Sequence, residues 1–460
     1  MATTSKDQAI ATSSDNVTML DSSLAPLLRL AENATPVFNT GSIGWLQEVQ
    51  VQGAYRVSHR TFPTRREEDW RVTDVSILRN TQFHAATSTS IEAYEMDAFE
   101  LAETKESRLV FVNGIYCEAL SNVSALPAGL FVGSLSELST ERAAELVNYV
   151  SQQSRKLDVF ASLNDSGVKD FAVIWADKNV TVEQPIQVVF IGKPEAQPIA
   201  IQSRCVAIAE SGSSLSFVEY YGAATQGCSD HDQQLYFNNA LTEIWVKENA
   251  QIKHVRIQRE GGSGIQIGNT AIAQAKDSRY YLTEVNMGAK LSRHTLTLNQ
   301  NGAQTETILK GLTMVGGEQV SDTHTAVNLQ HPHGTVDQLH KCIVDGSARS
   351  IFNGKVDVPQ NAQMTNAAQL NRNLLLSPKA RVDTKPELQI TADDVKCTHG
   401  ATVSQLEDDE IFYLRSRGLN EYDARHLLID AFAAEILDTV AIASLQTGLT
   451  NCVACRTIEA

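Results

Sequence analysis

The sequence predicts a mainly β chain, a β-solenoid core between helical N- and C-terminal parts. Three observations carry this. From about residue 170 to 390 helical periodicity is absent, and short runs alternate apolar with polar residues, as in FAVIWA, IQVVFIG, LSFVEYYG and EIWVKENAQIKHVRIQ. Corners rich in chain breakers separate the runs, among them Gly212-Ser213, Asn249-Ala250, Gly288-Ala289, Gly316-Gly317 and Gly346-Ser347. From position 288 onward they fall roughly every 13 to 17 residues. The corners also reuse one chemistry, NAQ at 249–251, GAQ at 302–304 and NAQ at 361–363, as stacked coils would. A jelly-roll-like double sheet is the alternative on pattern alone. A stretch of more than 200 residues without a helical insert favours the solenoid.

Taken in order, residues 1–20 are polar and read as a disordered tail. Residues 21–165 form a mixed, helix-rich part. SSLAPLLRLAENA and SLSELSTERAAELVNYVSQQ carry helical spacing, whereas RLVFVNGIY reads as strand and turn with Asn113-Gly114 at the turn. The solenoid is assigned to 166–402, and helices return over 403–460. There Gly418 is a stop, Asn420 an N-cap, and Leu427, Leu428, Ala431, Phe432, Glu435, Ile436 and Val440 place a wide, mainly apolar face on the following helix. Such a face either packs on the end of the stack or docks a partner.

Charge narrows the partners. The formal net charge of −16 leaves no basic excess for neutralising phosphates, which argues against nucleic acid or an anionic membrane as the main partner. The first twenty residues, MATTSKDQAIATSSDNVTML, lack the basic start and apolar run of a secretory signal, and no long apolar segment follows. Seven cysteines, odd in number and scattered, point to a reducing compartment. The expected location is the cytoplasm.

Several chemistries fail on spacing. Gly354-Lys355 is followed by Val356, where a nucleotide loop needs Ser or Thr, and the glycine five residues earlier is missing. GGSGIQIG at 261–268 is a tight turn rather than a dinucleotide site, and neither GxSxG nor HExxH occurs. His324, His331, His333, His340 and Cys342 cluster in sequence, but Pro332 breaks the first pair, so they read as surface or interface residues. Cys452 and Cys455 have the spacing of half a zinc or redox site near a poorly ordered terminus. Cys397 and His399 stand where the β-rich region ends. Thiolate and imidazole suit iron or zinc, yet two ligands cannot complete a tetrahedral site. A small buried cysteine beside a hydrogen-bonded histidine is the plain alternative. Asp322, Asp337 and Asp357 are candidates, by residue type only, for a β-helix enzyme acting on polysaccharide.

FPTRREEDWRVTDVSIL (62–78), SDTHTAVNLQHPHGTV, SIFNGKVDVPQNAQMTNAAQLNRNLLLSPKARVDTKPELQI, DDVKCTHGATV and IFYLRSRGL together resemble the SufB/SufD family of iron–sulfur cluster assembly subunits, on its SufD side. The likeness covers roughly residues 60 to 440. It implies a right-handed parallel β-helix and a non-catalytic subunit that pairs with SufB and binds SufC, to which ATP hydrolysis would belong. Self-pairing of the isolated chain is a further option. The resemblance also implies that His399 contributes to a transient iron–sulfur cluster shared with SufB, with Cys397 the weaker candidate; a purely structural subunit, with all ligand chemistry on SufB, is the alternative. SufB reads His-Glu-Ala where Gly400 follows the histidine here. The C-terminal helices would dock SufC, with Phe412, Leu414, Leu427, Leu428, Phe432 and Ile436 as contact candidates.

Overall fold

The computed structural model describes residues 21–32, 44–87, 90–124, 126–153, 157–224 and 234–458. The tail expected over 1–20 lies outside them, as does Cys228. The core is a parallel β-solenoid. Successive strands alternate between two sheets, so each strand pairs with the strand one coil before and one coil after it. One sheet ends in Val320–Asn328, Arg349–Val358 and Arg381–Ile390; the other ends in Thr335–Val344, Thr365–Leu375 and Val395–Gln405.

The corners explain the regular beat of breakers. Between each strand of the first sheet and the next strand of the second, from Ile199–Ala209 to Arg349–Val358, one residue adopts positive φ. In order these are Gly212, Asn249, Asp277, Gln304, His333 and Met364. Glycine, Asn and Asp reach this region at low cost, which accounts for the first three. At the others the stack imposes it: the Gln304, His333 and Met364 amides each donate to a carbonyl of the next coil, on Pro332, Gln363 and Asp394.

Parallel register stacks like positions. Leu215, Ile252, Tyr280, Thr307, Val336, Ala367 and Cys397 form one interior row. Phe217, His254, Leu282, Leu309, Gln338, Gln369 and His399 form the next inward-facing one. The interior is apolar toward one side and hydrogen-bonded toward the other, where Arg256 donates to Glu284, Asn286 and Gln266. Glycines make room for large polar side chains. A Cβ at Gly311 would stand 2.1 Å from His340 Nδ1, and one at Gly354 would stand 2.3 Å from Gln369 Nε2. Gly354 therefore serves packing.

The N-terminal part is not separate from the solenoid. Arg108–Val112 joins the second sheet beside Ile186–Gly192, and Leu130–Ser134 joins the first beside Ala172–Ala176. Asn113 and Gly114, both at positive φ, turn the chain into Ile115–Tyr116 as the sequence indicates. The helix expected over 134–153 is shorter: a 3-10 turn at Leu135–Glu137 and an α-helix only at Thr140–Leu146. Helix Val159–Gly167 is wholly buried, and its Asp165 pairs with Arg204 at 2.6 Å.

At the C-terminus the solenoid runs past residue 402, to Gln405. Helices Asp408–Ser416, Glu421–Leu437 and Ala443–Ile458 follow. The Asn420 side chain accepts from the Asp423 amide and Gly418 sits at φ 101°, so both boundary signals act as expected. The last helix carries Cys452 and Cys455. These helices lie along the flank of the second sheet and do not cap the stack. Lys341 Nζ donates to the Phe432 carbonyl at 2.8 Å, Thr283 bonds Thr439 at 2.9 Å, and Arg456 reaches the Met314 carbonyl. No helix among the described residues is long and apolar enough to cross a membrane.

Candidate functional site: the open end of the solenoid

Among the described residues the last coil has no coil beyond it. Not one residue of Arg381–Ile390 or Val395–Gln405 is buried, and each strand is hydrogen-bonded along one edge only. Val403 and Ile390 stand exposed there. An edge of this length presents a row of unpaired backbone donors and acceptors, a template for a strand of another chain.

Cys397 and His399 lie on this last strand, opposite Ala367 and Gln369. Val395 and Cys397 pack against the interior cluster, so alternation places His399 on the same inward face. It is nevertheless exposed, because among the described residues no further coil covers it. Cys397 is half-buried, and that burial raises its thiol pKa. The thiol therefore stays protonated near neutral pH, and metal binding would have to displace that proton. A Cβ on Gly400 would meet Leu370 Cδ1 at 3.4 Å, an ordinary contact, so the backbone does not require glycine there. Among the described residues no three His, Cys, Asp or Glu side chains converge as a metal site.

The chain matches two family models: SufBD protein N-terminal region over residues 22–188, and SUF system FeS cluster assembly, SufBD core domain, over 190–432. The chain belongs to the SufBD family. It is 51% identical over 397 residues to an iron–sulfur cluster assembly SufBD family protein of Synechocystis, covering 86% of this chain and 88% of the relative. It is 33% identical over 384 residues to the iron–sulfur cluster assembly protein SufD of Escherichia coli, covering 82% and 85%. A chloroplastic protein of Arabidopsis thaliana, ABCI7, is 34% identical over 399 residues, covering 85% and 82%. Iron–sulfur cluster assembly is thus the role of the family to which this SufBD chain belongs.

Other candidate residues in this SufBD chain lie apart from the open end. His340 and Cys342 are interior, not surface as the sequence reading has them. His340 Nε2 bonds Thr313 Oγ1 at 3.0 Å and its ring stacks on Phe352. Burial pushes His340 down to about 4 and Cys342 up to about 11, so both are neutral. His331 and His333 stay at a corner. The three aspartates do not group: Asp322 is buried, Asp337 is on the other sheet paired with Lys310 at 2.7 Å, and Asp357 is half-buried at the far end of its strand.

Asp322 instead ties down the segment 62–78 that the sequence reading singles out. Its carboxylate takes Arg293, His324 (2.9 Å) and the Thr73 hydroxyl, and Arg293 also donates to the Asp69 carbonyl at 2.8 Å. The Arg293 guanidinium lies 3.9 Å from the Trp70 ring centroid. The motif is a clasp that holds the N-terminal segment on the solenoid, a role that pairwise burial reveals and the motif alone does not.

The six C-terminal contact candidates divide by face. Phe412 and Leu427 are exposed, with Tyr413 and Tyr422 exposed beside them in the sequence. Leu414, Leu428 and Phe432 are half-buried. Ile436 is fully buried, packed with Ile429, Ala433 and Val440 on the flank cluster, so it faces the chain's own core and not a partner.

Proposed function

We propose that this chain is a non-catalytic, SufD-type subunit that pairs with SufB through the open end of its solenoid. There His399 contributes one ligand to a nascent iron–sulfur cluster. The observation that carries this reading is the exposure of an inward-row histidine on an unpaired edge strand, in a chain of a cluster-assembly family. A neutral imidazole binds iron through a ring nitrogen. A site needing further ligands draws them from the chain that covers the edge, which is SufB in this reading. Without SufB, the same edge would pair with a second copy.

SufC, as the ATPase, would bind the exposed Phe412, Tyr413, Tyr422 and Leu427 surface. Its movement would be transmitted to the open end through the flank helices. The test is capture of SufB and SufC by the chain, followed by iron and sulfide analysis. His399→Ala should keep the complex and lose most of the acquired cluster. A His399→Ala complex that acquires iron and sulfide as the unsubstituted one does would overturn the role of the histidine.

A further inference from the structure

The row beneath His399 is unusual in its last two buried positions, which are amides. Gln338 Nε2 donates to Thr325 Oγ1 at 2.8 Å, and Gln369 Nε2 donates to Gln338 Oε1 at 2.8 Å. Gln338 is 3% and Gln369 2% exposed. Gln338 thus donates across its own coil, and Gln369 donates to the coil before it. Gln369 Oε1 is buried with no hydrogen-bond partner among the described residues. A buried amide oxygen left unpaired costs about 1–3 kcal/mol, so its retention calls for an account.

The next position of the row is His399, in register directly opposite Gln369. It is the polar side chain of the last coil that the register sets against Gln369. The facing sheet places Thr325, Gly354 and Pro386 in successive coils, and proline has no side-chain acceptor to offer the imidazole. Gly354 leaves the space that seats the Gln369 amide, since a Cβ at that glycine would overlap it.

We infer that Gln369 is a positioning residue for His399: its free Oε1 accepts the inner ring N–H, fixing the imidazole so that the other nitrogen faces outward with its lone pair free for iron. An imidazole that ligates a metal through one nitrogen gives its other N–H to an oxygen acceptor, and losing that acceptor weakens metal binding. The ring is exposed in the isolated chain, and the bond forms when a ligand and the covering subunit hold it. No proton leaves the imidazole in this step: the inner N–H is shared with the amide oxygen while the outer lone pair is donated.

This inference rests on the reading of His399 above, and the test separates the two. The complex with SufB and SufC is prepared anaerobically, and ferrous iron alone is titrated against a chelator of known affinity. Thermal stability is measured on the same samples. Gln369→Leu, which removes the acceptor, should weaken iron binding by about 10- to 100-fold. Gln369→Glu should restore it to the unsubstituted level or tighter, because Gln338 can turn its amide to donate to the carboxylate while Thr325 donates to Gln338. His399→Ala combined with Gln369→Leu should bind iron no more weakly than His399→Ala alone. Unchanged iron affinity in Gln369→Leu, with His399→Ala defective, would overturn the inference and leave the role of His399 standing. Unchanged affinity in His399→Ala would remove both. Should Gln369→Leu fail to fold, Gln369→Glu decides alone, and weaker binding in that variant contradicts the proposal.

Discussion

Replacing Asp322 by Asn tests whether the N-terminal motif is a clasp. Burial alone would raise this carboxyl, but Arg293, His324 and Thr73 outweigh it and hold it at about 2, against 3.8 for an ordinary aspartate. That difference corresponds to roughly 2 kcal/mol of stability. Because the folded value lies below the unfolded one, this contribution is complete above about pH 4 and disappears as pH falls toward about 2. The substitution is harsher than protonation, since Asn brings two N–H groups toward the Arg293 and Thr73 donors. With the Arg293 side chain only 3% exposed, a cost of about 3–5 kcal/mol follows. Trp70 stacks on Arg293, so its environment reports the loss. Urea unfolding followed by tryptophan fluorescence, with limited proteolysis of residues 62–78, measures it. Asp322→Asn should unfold at lower urea and be cut first within the motif. A loss below about 1 kcal/mol, in the range of surface substitutions, would refute the clasp.

Three further outcomes follow from the same geometry. Gly311→Ala should destabilise the chain by about 1–3 kcal/mol, because the added Cβ overlaps His340, which is stacked on Phe352 and cannot withdraw freely; thermal or urea unfolding reads this directly. Gly400→Glu should change stability by less than about 0.5 kcal/mol, since position 400 is open to a side chain, and the same unfolding measurement checks it. Phe412→Ser should leave the melting transition in place while reducing capture of SufC several-fold, because this ring is 72% exposed and adds little to the chain's own core; equal SufC capture by both proteins would remove Phe412 from the docking surface.

Much of the fold is legible in the sequence because a solenoid repeats its own constraints. Each coil needs a left-handed corner, and Gly212, Asn249 and Asp277 announce it by residue type. Gln304, His333 and Met364 do not, since there the coil-to-coil backbone bonds impose the conformation. The C-terminal helices are readable from Gly418 and Asn420, but their destination is not. Helical spacing marks an apolar face without saying which of its residues meets the sheet, and so Ile436 and Leu427 look alike until packing separates them. Polar residues inside the stack are the other blind spot. His340 and Cys342 resemble surface ligands in sequence, yet His340 fills the space left by Gly311 and Cys342 packs with Val315, Val344 and Ala348. Gln369 lies within the long family-like stretch 350–390 but nothing in that stretch singles it out; its interest appears once register sets it against His399. Where the β-rich region ends is readable, but that its last coil is left uncovered is not, because that coil is written in the same alternation as the coils before it.

The central claim is that His399, at the uncovered end of the stack, supplies a ligand to a cluster built between two subunits. The most direct test is iron and sulfide content of the complex with SufB and SufC, compared between the unsubstituted chain and His399→Ala at equal subunit stoichiometry. The account predicts an intact complex that has lost most of its iron and sulfide. Equal iron and sulfide in the two complexes would contradict it and leave this chain a purely structural partner.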